Sequence, residues 1–205
     1  MIVFEKYSLL VIGLNPQLKK GIKIIGLACA SFNREKDKNV PIIGAIYRGS
    51  LLLEGVLKSQ VTVDGDDATD KIADMILQSS HHQQLKLIMT RGVTIAGFNY
   101  IDLEQLHKKT DLPIISVVDR EPNMEKISKA LRKLLNGEKK LAVIKRNGLP
   151  QAYISAENNE PIYAQFIGIK HEEISQLLKD VTLVGRIPEP IRVARLIAIA
   201  EKMNV

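Results

Sequence analysis

Asp64, Asp66, Asp67 and Asp70 crowd into seven residues of this 205-residue chain. Hard cations take carboxylate oxygens from several chain positions, so such a cluster can supply two or three ligands to one. It is not a calcium loop, because the twelfth position counted from Asp64 is Met75 and not Glu. The same acids also suit a helix start, where Asp67 caps free backbone N–H groups and the others favour the positive helix end. A second stretch, Arg91 to Asn99, carries Gly92 and Gly97. Ligands of open α/β sheets bind beyond the carboxyl ends of strands, and glycine lets a backbone come close. The stretch lacks the Gly-Lys-Ser/Thr ending of a phosphate loop. Cationic pairs recur at Lys19-Lys20, Lys108-Lys109, Lys139-Lys140 and Lys145-Arg146, with Arg186, Arg192 and Arg195 further on. Arg192 and Arg195 are three apart on a predicted helix and share a face, where either can meet a phosphate. His81, His82, His107 and His171 have no metal-ligand spacing. Cys29 lies in an apolar run and reads as a small buried hydrophobe.

The elements that must hold these residues follow from hydrophobic period. Strands are predicted over Ile22 to Cys29, Val40 to Tyr47 and Leu51 to Val63, with a bend or bulge at Glu54-Gly55. The period then switches. Ile72, Ala73, Met75 and Ile76 mark the buried stripe of a helix opened at Asp67. Leu85 to Met89 is a buried strand, Thr90 to Tyr100 a loop, Asp102 to Lys109 a helix and Leu112 to Val118 a strand. Glu121-Pro122-Asn123 starts a helix that runs to Asn136-Gly137. Beyond it, Leu141 to Lys145, Gln151 to Ser155 and Ile162 to Ile169 read as strands. His171 to Lys179 and Pro190 to Met203 read as helices, the latter entered through Pro188 and Pro190. The order β-β-β-α-β-α-β is that of a ribonuclease H-like α/β fold with a mixed sheet. Residues 20–136 form its core and 137–205 a C-terminal α+β extension of the same domain, one domain over 1–205.

Composition bounds the rest. Hydrophobic residues make up 45 % and charged residues 25 %, which are globular values. A single cysteine rules out a disulfide framework or a cysteine-based zinc site and fits a reducing, cytoplasmic compartment. No apolar run approaches the ~18 residues of a membrane span. Tyr7 to Leu14 reads as a strand and not as a signal peptide. The net charge of +6 suits a polyanionic partner and equally serves solubility. With aromatics at 4 % and no tryptophan, stacking on single-stranded bases is poorly served. Tracking of a duplex backbone fits better, as does a small-molecule ligand.

Several segments occur in a telling order: Ala45-Ile-Tyr-Arg-Gly49, Glu54-Gly-Val-Leu57, Val61-Thr-Val-Asp-Gly-Asp-Asp-Ala-Thr69, Ile88 to Asn99 with Ala96-Gly-Phe-Asn99, Glu121-Pro122, and Ile187-Pro-Glu-Pro-Ile-Arg-Val-Ala194. Together they resemble the archaeal endonuclease dU family, which is similar to endonuclease V. The resemblance implies metal-dependent cleavage of DNA at deoxyuridine, a deaminated base, with Mg²⁺ or Mn²⁺ held by carboxylates. It makes Asp64 and Asp67 the candidate catalytic and metal-binding residues. Arg48, Arg91, Asn99 and Arg192 become the candidates for nucleic-acid contact, with oligomeric state left open. The sequence departs from the family pattern at two places. Ala28 and Cys29 stand where the first strand has two aspartates, and Arg91 stands where an aspartate follows the fourth strand. Two outcomes are compatible with this: Asp66, Asp67 or Asp102 rebuilds a one-metal site, or Arg91 takes the vacated place and binds a phosphate directly. The second keeps nucleic-acid binding, discards cleavage and needs no metal.

Overall fold

The computed structural model describes residues 21–154 and 160–202. The sequence expectations for Tyr7 to Leu14, Lys19-Lys20, Ser155 and Met203 lie outside the described residues.

Three strands open the fold: β1 (Lys23–Cys29), β2 (Asn39–Arg48) and β3 (Leu52–Thr62). They pair antiparallel, β1 with β2 and β2 with β3. The register shifts between Ile46↔Gly55 and Tyr47↔Leu53, which leaves Glu54 as the bulged residue. Helix α1 (Ala68–Leu77) then buries Ile72, Ala73, Met75 and Ile76. Next come β4 (Leu85–Arg91), a two-residue hairpin pair β5 (Thr94–Ile95) and β6 (Asn99–Tyr100), α2 (Leu103–Thr110) and β7 (Ile114–Val118). β4 runs parallel to β1, and β7 runs parallel to β4. Two helices follow, α3 (Met124–Leu131) and α4 (Gly137–Arg146), and then β8 (Gln151–Ile154), β9 (Pro161–Ile167), α5 (His171–Val181) and α6 (Glu189–Lys202). The ribonuclease H-like order of strands and helices is as expected. β9 and β8 extend the same sheet, β9 antiparallel to β7 and β8 antiparallel to β9, and the strand order is β3-β2-β1-β4-β7-β9-β8.

Strands β1, β4 and β7 are mostly apolar because both of their faces are largely covered. Ile25, Leu27, Ile88 and Ile114 face a core shared with α1 and α2. Ile24, Leu87, Met89, Ile115 and Val117 face the other way, onto α5 and the start of α6.

Two expectations are corrected. Leu141 to Lys145 is not a strand but part of α4. Lys140, Val143 and Ile144 are buried at i, i+3 and i+4 spacing, so a helical stripe was hidden in a short apolar run that both periods fit. The preceding helix stops at Leu131, and Asn136 turns the chain with φ 59°. The Thr90 to Tyr100 loop contains a hairpin, with Ile95 paired to Asn99.

Among the described residues, no helix is long and apolar enough to cross a membrane.

Candidate functional site at the carboxyl end of the sheet

Parallel pairing places β1 and β4 in the register Leu27↔Thr90. The next residues are Ala28 and Arg91, so the two divergent positions are neighbours on adjacent strands. Parallel strands lie about 4.8 Å apart, and one aspartate on each would converge there. Instead Ala28 brings a buried methyl group and Arg91 a guanidinium. Arg91 Nη2 lies 3.5 Å from Asp119 Oδ2, at the carboxyl end of the next strand, β7. Burial pushes the Asp119 carboxyl up, but its own backbone hydrogen bond and the Arg91 guanidinium outweigh this and hold it below the usual carboxylate range.

Asp64 and Asp67 lie at the same end of the sheet, past β3. The Val63 amide donates to Lys38 O and the Asp64 amide to Ala96 O. The Asp64 carboxylate accepts from the Phe98 amide at 2.7 Å and pairs with Arg34 Nε at 2.7 Å. Arg34 also lies over the Phe98 ring, 5.7 Å from its centroid. Ala96 and Gly97 both have positive φ, 49° and 87°. A Cβ on Gly97 would sit 2.3 Å from Asp64 Oδ1, so only glycine admits this carboxylate.

Asp67 precedes α1 as expected, but its side chain makes no capping bond. It accepts from the Thr62 amide (3.1 Å), the Thr62 hydroxyl (3.0 Å) and Asn99 Nδ2. Asn99 is fully buried and does the capping: its Oδ1 accepts from the Ala68 amide at 2.9 Å, while Nδ2 also reaches Thr62 O. Asn99 thus ties the β6 hairpin to the acidic turn.

Asp66 points the other way, to Lys140 on α4. Lys140 is 1 % exposed. Its ammonium donates to Asp66 Oδ1 and, at 2.5 Å, to Gly65 O, and lies 5.4 Å from the Tyr100 ring centroid. Burial raises the Asp66 carboxyl, but the Lys140 hydrogen bond and charge, with Asn136, carry it below its ordinary value. Asp102 caps α2 through the Gln105 amide and pairs with Arg146. An open cleft of about 400 Å³ lies between these elements, lined by Asp66, Asp70, Tyr100, Asp102, Lys139 and Arg146 among others.

Replacing Lys140 with methionine is expected to cost about 2 kcal/mol at pH 7. That is less than the ~3–5 kcal/mol of breaking a fully buried pair, because the freed Asp66 can hydrate. Asp66 titrates lower folded than unfolded, so its stabilisation is present above the ordinary carboxylate range, near pH 4, and is lost as pH falls through the folded value. Urea melts across pH 2–7 check this: the variant's stability should fall less steeply below about pH 4 than the natural protein's.

The other predicted contact residues stand apart. Arg48 pairs with Lys23 across β1–β2, at the opposite end of β1 from Ala28, and its Nε lies 2.5 Å from Glu54 Oε1. Arg192 forks onto Glu189 at 2.7 and 2.5 Å in the first turn of α6, beside Tyr47. The structure therefore groups Ala28, Arg91, Asp64, Asp67 and Asn99, and separates them from Arg48 and Arg192. It adds Arg34 and Asp119, which sequence reasoning missed, and gives roles to Phe98 and Lys140, which the sequence showed only as part of a candidate loop and of a cationic pair. Asp119 was findable, since it directly follows a parallel strand. Nothing in the spacing marked Arg34.

These residues do not fit a two-metal centre. Ala28 offers no donor and Arg91 brings a positive charge. Asp64 and Asp67 already bind Arg34, Phe98, Thr62 and Asn99. Among the described residues, no group of three or more His, Cys, Asp or Glu converges as a metal would require.

Among solved structures, the chain is similar to a protein of unknown function from Archaeoglobus fulgidus: TM-score 0.76, 31 % identity, covering 87 % of this chain and 97 % of that one. Endonuclease V of Bacillus subtilis matches at TM-score 0.59 and 9 % identity, over 93 % and 86 % of the two chains. Endonuclease V of Ciona intestinalis, solved with a 24-mer DNA containing an inosine, matches at TM-score 0.57 and 14 % identity, over 91 % and 87 %. At such identities the likeness is one of fold, and it is the ribonuclease H-like fold expected. Sequence relatives include the UPF0215 protein of Methanosarcina mazei, 39 % identical over 88 % of this chain and 91 % of its own. That of Methanopyrus kandleri is 36 % identical over 89 % and 92 %. The family model described as Endonuclease dU matches residues 20–201, nearly all of the chain, and with these relatives it establishes that the chain belongs to the Endonuclease dU family.

Proposed function

We propose that this chain recognises DNA bearing deoxyuridine at the carboxyl end of its sheet, and that Arg91 holds a phosphate there in place of a metal ion. Family membership and the endonuclease V-like fold support a nuclease-like function, and one fold neighbour is solved with DNA. The observation that carries the reading is the Ala28–Arg91 pair on adjacent parallel strands. A planar guanidinium at one-third exposure, held weakly by Asp119 at 3.5 Å, is available to a phosphate and fits it with two parallel hydrogen bonds.

The test is a duplex with a single deoxyuridine beside an undamaged control, followed by fluorescence anisotropy and by strand cleavage with Mg²⁺ or Mn²⁺. Expected are tighter binding to the damaged duplex, no metal-dependent cleavage, and a loss of about 20-fold in affinity for Arg91→Ala, about 1.8 kcal/mol and within the ~1.5–3 kcal/mol of a charged hydrogen bond. Cleavage at the lesion would overturn the binding reading in favour of a second one. In that case Asp64 and Asp67, which lie at the same end of the sheet, serve a rebuilt metal site, and their alanine variants abolish cutting.

A further inference from the structure

The chain's excess positive charge is not spread over its surface. Residues 124–146, the α3–α4 hairpin, hold eight lysines and arginines against two glutamates, a net charge of +6. That equals the net charge of the whole chain, so the other 182 residues are balanced. Seven of the eight cations are exposed; only Lys140 is buried. Lys129 pairs with Glu125 and Arg146 with Asp102. Among the described residues, Lys126, Arg132, Lys133, Lys139 and Lys145 have no carboxylate within ion-pair distance.

The hairpin is rooted on the candidate site. Leu131, Val143 and Ile144 pack with Tyr100 and, in the same cluster, with Val93 and Phe98 of the segment after Arg91. Lys140 fastens α4 to the Gly65–Asp66 turn. The exposed cations of the hairpin thus lie beside the end of the sheet that carries Arg91 and Arg34.

We infer that the α3–α4 hairpin is a docking surface for the phosphate backbone of duplex DNA, running on from the Arg91 site. This rests on the reading under Proposed function and deepens it by naming where the backbone lies. Six of the eight cations are lysines, compact point charges that suit phosphates without reading bases. The hairpin's exposed residues include no aromatic ring on which unpaired bases could stack, which favours a duplex over a single strand. Leu135, 87 % exposed near the turn, is the one feature that would also suit a lipid surface, so the test includes one.

The experiment compares the natural chain with Lys126→Gln/Lys133→Gln/Lys139→Gln and with a control of equal charge change, Lys71→Gln/Lys86→Gln/Lys179→Gln, all at exposed positions. Anisotropy with a deoxyuridine duplex is measured over a salt series, with thermal melts to confirm folding. Each lost phosphate contact lowers the slope of log K against log[salt] by about 0.9, so the hairpin variant should lose about 3 from the slope and roughly 30-fold or more in affinity near 0.1 M salt. The control should stay near the natural chain. A folded hairpin variant with unchanged slope would overturn the hairpin surface while leaving the Arg91 reading intact. No DNA binding by the natural chain would overturn both. Equal or stronger hairpin-dependent binding to vesicles of phosphatidylcholine with about one-third phosphatidylserine would overturn DNA as the partner.

Discussion

Changing Ala28 and Arg91 together to aspartate is expected to raise Mg²⁺ affinity at least about 100-fold, some 2.7 kcal/mol. The two positions follow the aligned pair Leu27↔Thr90, so both carboxylates would project from neighbouring strand ends. A guanidinium ~4 Å from a divalent ion is repelled by roughly 8 kcal/mol at an effective dielectric of ~20. Arg91 is one-third exposed and can swing into solvent, which is why the expected gain is set far below that figure. The substitution also frees Asp119, now beside Arg91, as a third carboxylate at the end of the next strand. Isothermal titration with Mg²⁺ measures the outcome, and Arg91→Asp alone should fall between the natural chain and the double variant. Equal affinities for all three would mean that the two positions do not stand where the family's ligands do.

The central strands that carry Ala28 and Arg91 were legible in the sequence, and the reason is physical. β1, β4 and β7 are largely covered on both faces, so their sequences are mostly apolar runs, interrupted by Lys86 in β4 and Ser116 in β7. The carboxyl ends of β1 and β7 were therefore well placed, and with them Ala28, whereas β4 runs two residues past its expected end at Met89 and takes in Thr90 and Arg91. The bulge at Glu54 was legible too, because glycine inside an apolar strand marks a break in register. What stayed hidden depends on tertiary contact. α4 was misread because its only apolar stretch, Leu141 to Ile144, is too short for its period to show, and one of its buried positions is a lysine. Lys140 is inside only because Gly65 and Asp66, more than seventy residues earlier, meet its ammonium. Asp67 reads as a helix cap from its position, yet Asn99, 31 residues beyond Ala68, takes the amide. The roles of Asp64 and Arg34 likewise depend on the left-handed pair Ala96–Gly97, which brings the Phe98 amide to the carboxylate.

Gly26→Ala is the smallest substitution expected to have a large structural effect. A Cβ there would lie 2.2 Å from Pro190 C, 2.4 Å from Pro190 O and 2.4 Å from Ile191 N. All three are backbone atoms at the start of α6, so no side chain can turn aside. The helix itself must lift from β1. Its start is otherwise well fixed: the Ile191 and Arg192 amides donate to Pro188 O, Glu189 is 7 % exposed, and Ile191 and Ala194 are buried. Overpacking a core costs about 1–3 kcal/mol when side chains can adjust, and a clash with backbone belongs at or above the top of that range. The expected loss is therefore about 3 kcal/mol, read as a lower midpoint in urea at unchanged slope. The companion variant Gly26→Ala/Pro190→Ala separates this cause from a proline-ring contact. Because the clash is with main-chain atoms, removing the ring should restore nothing, and recovery of the midpoint would overturn the account. The same contact gives the Ile187-Pro-Glu-Pro-Ile segment a structural reason. Pro188 and Pro190 set the approach of α6, Gly26 leaves room for its first turn, and Glu189 aligns Arg192 beside Tyr47. This segment, one of those that carry the family resemblance, thus acts first by seating a helix across β1, whose carboxyl end carries Ala28.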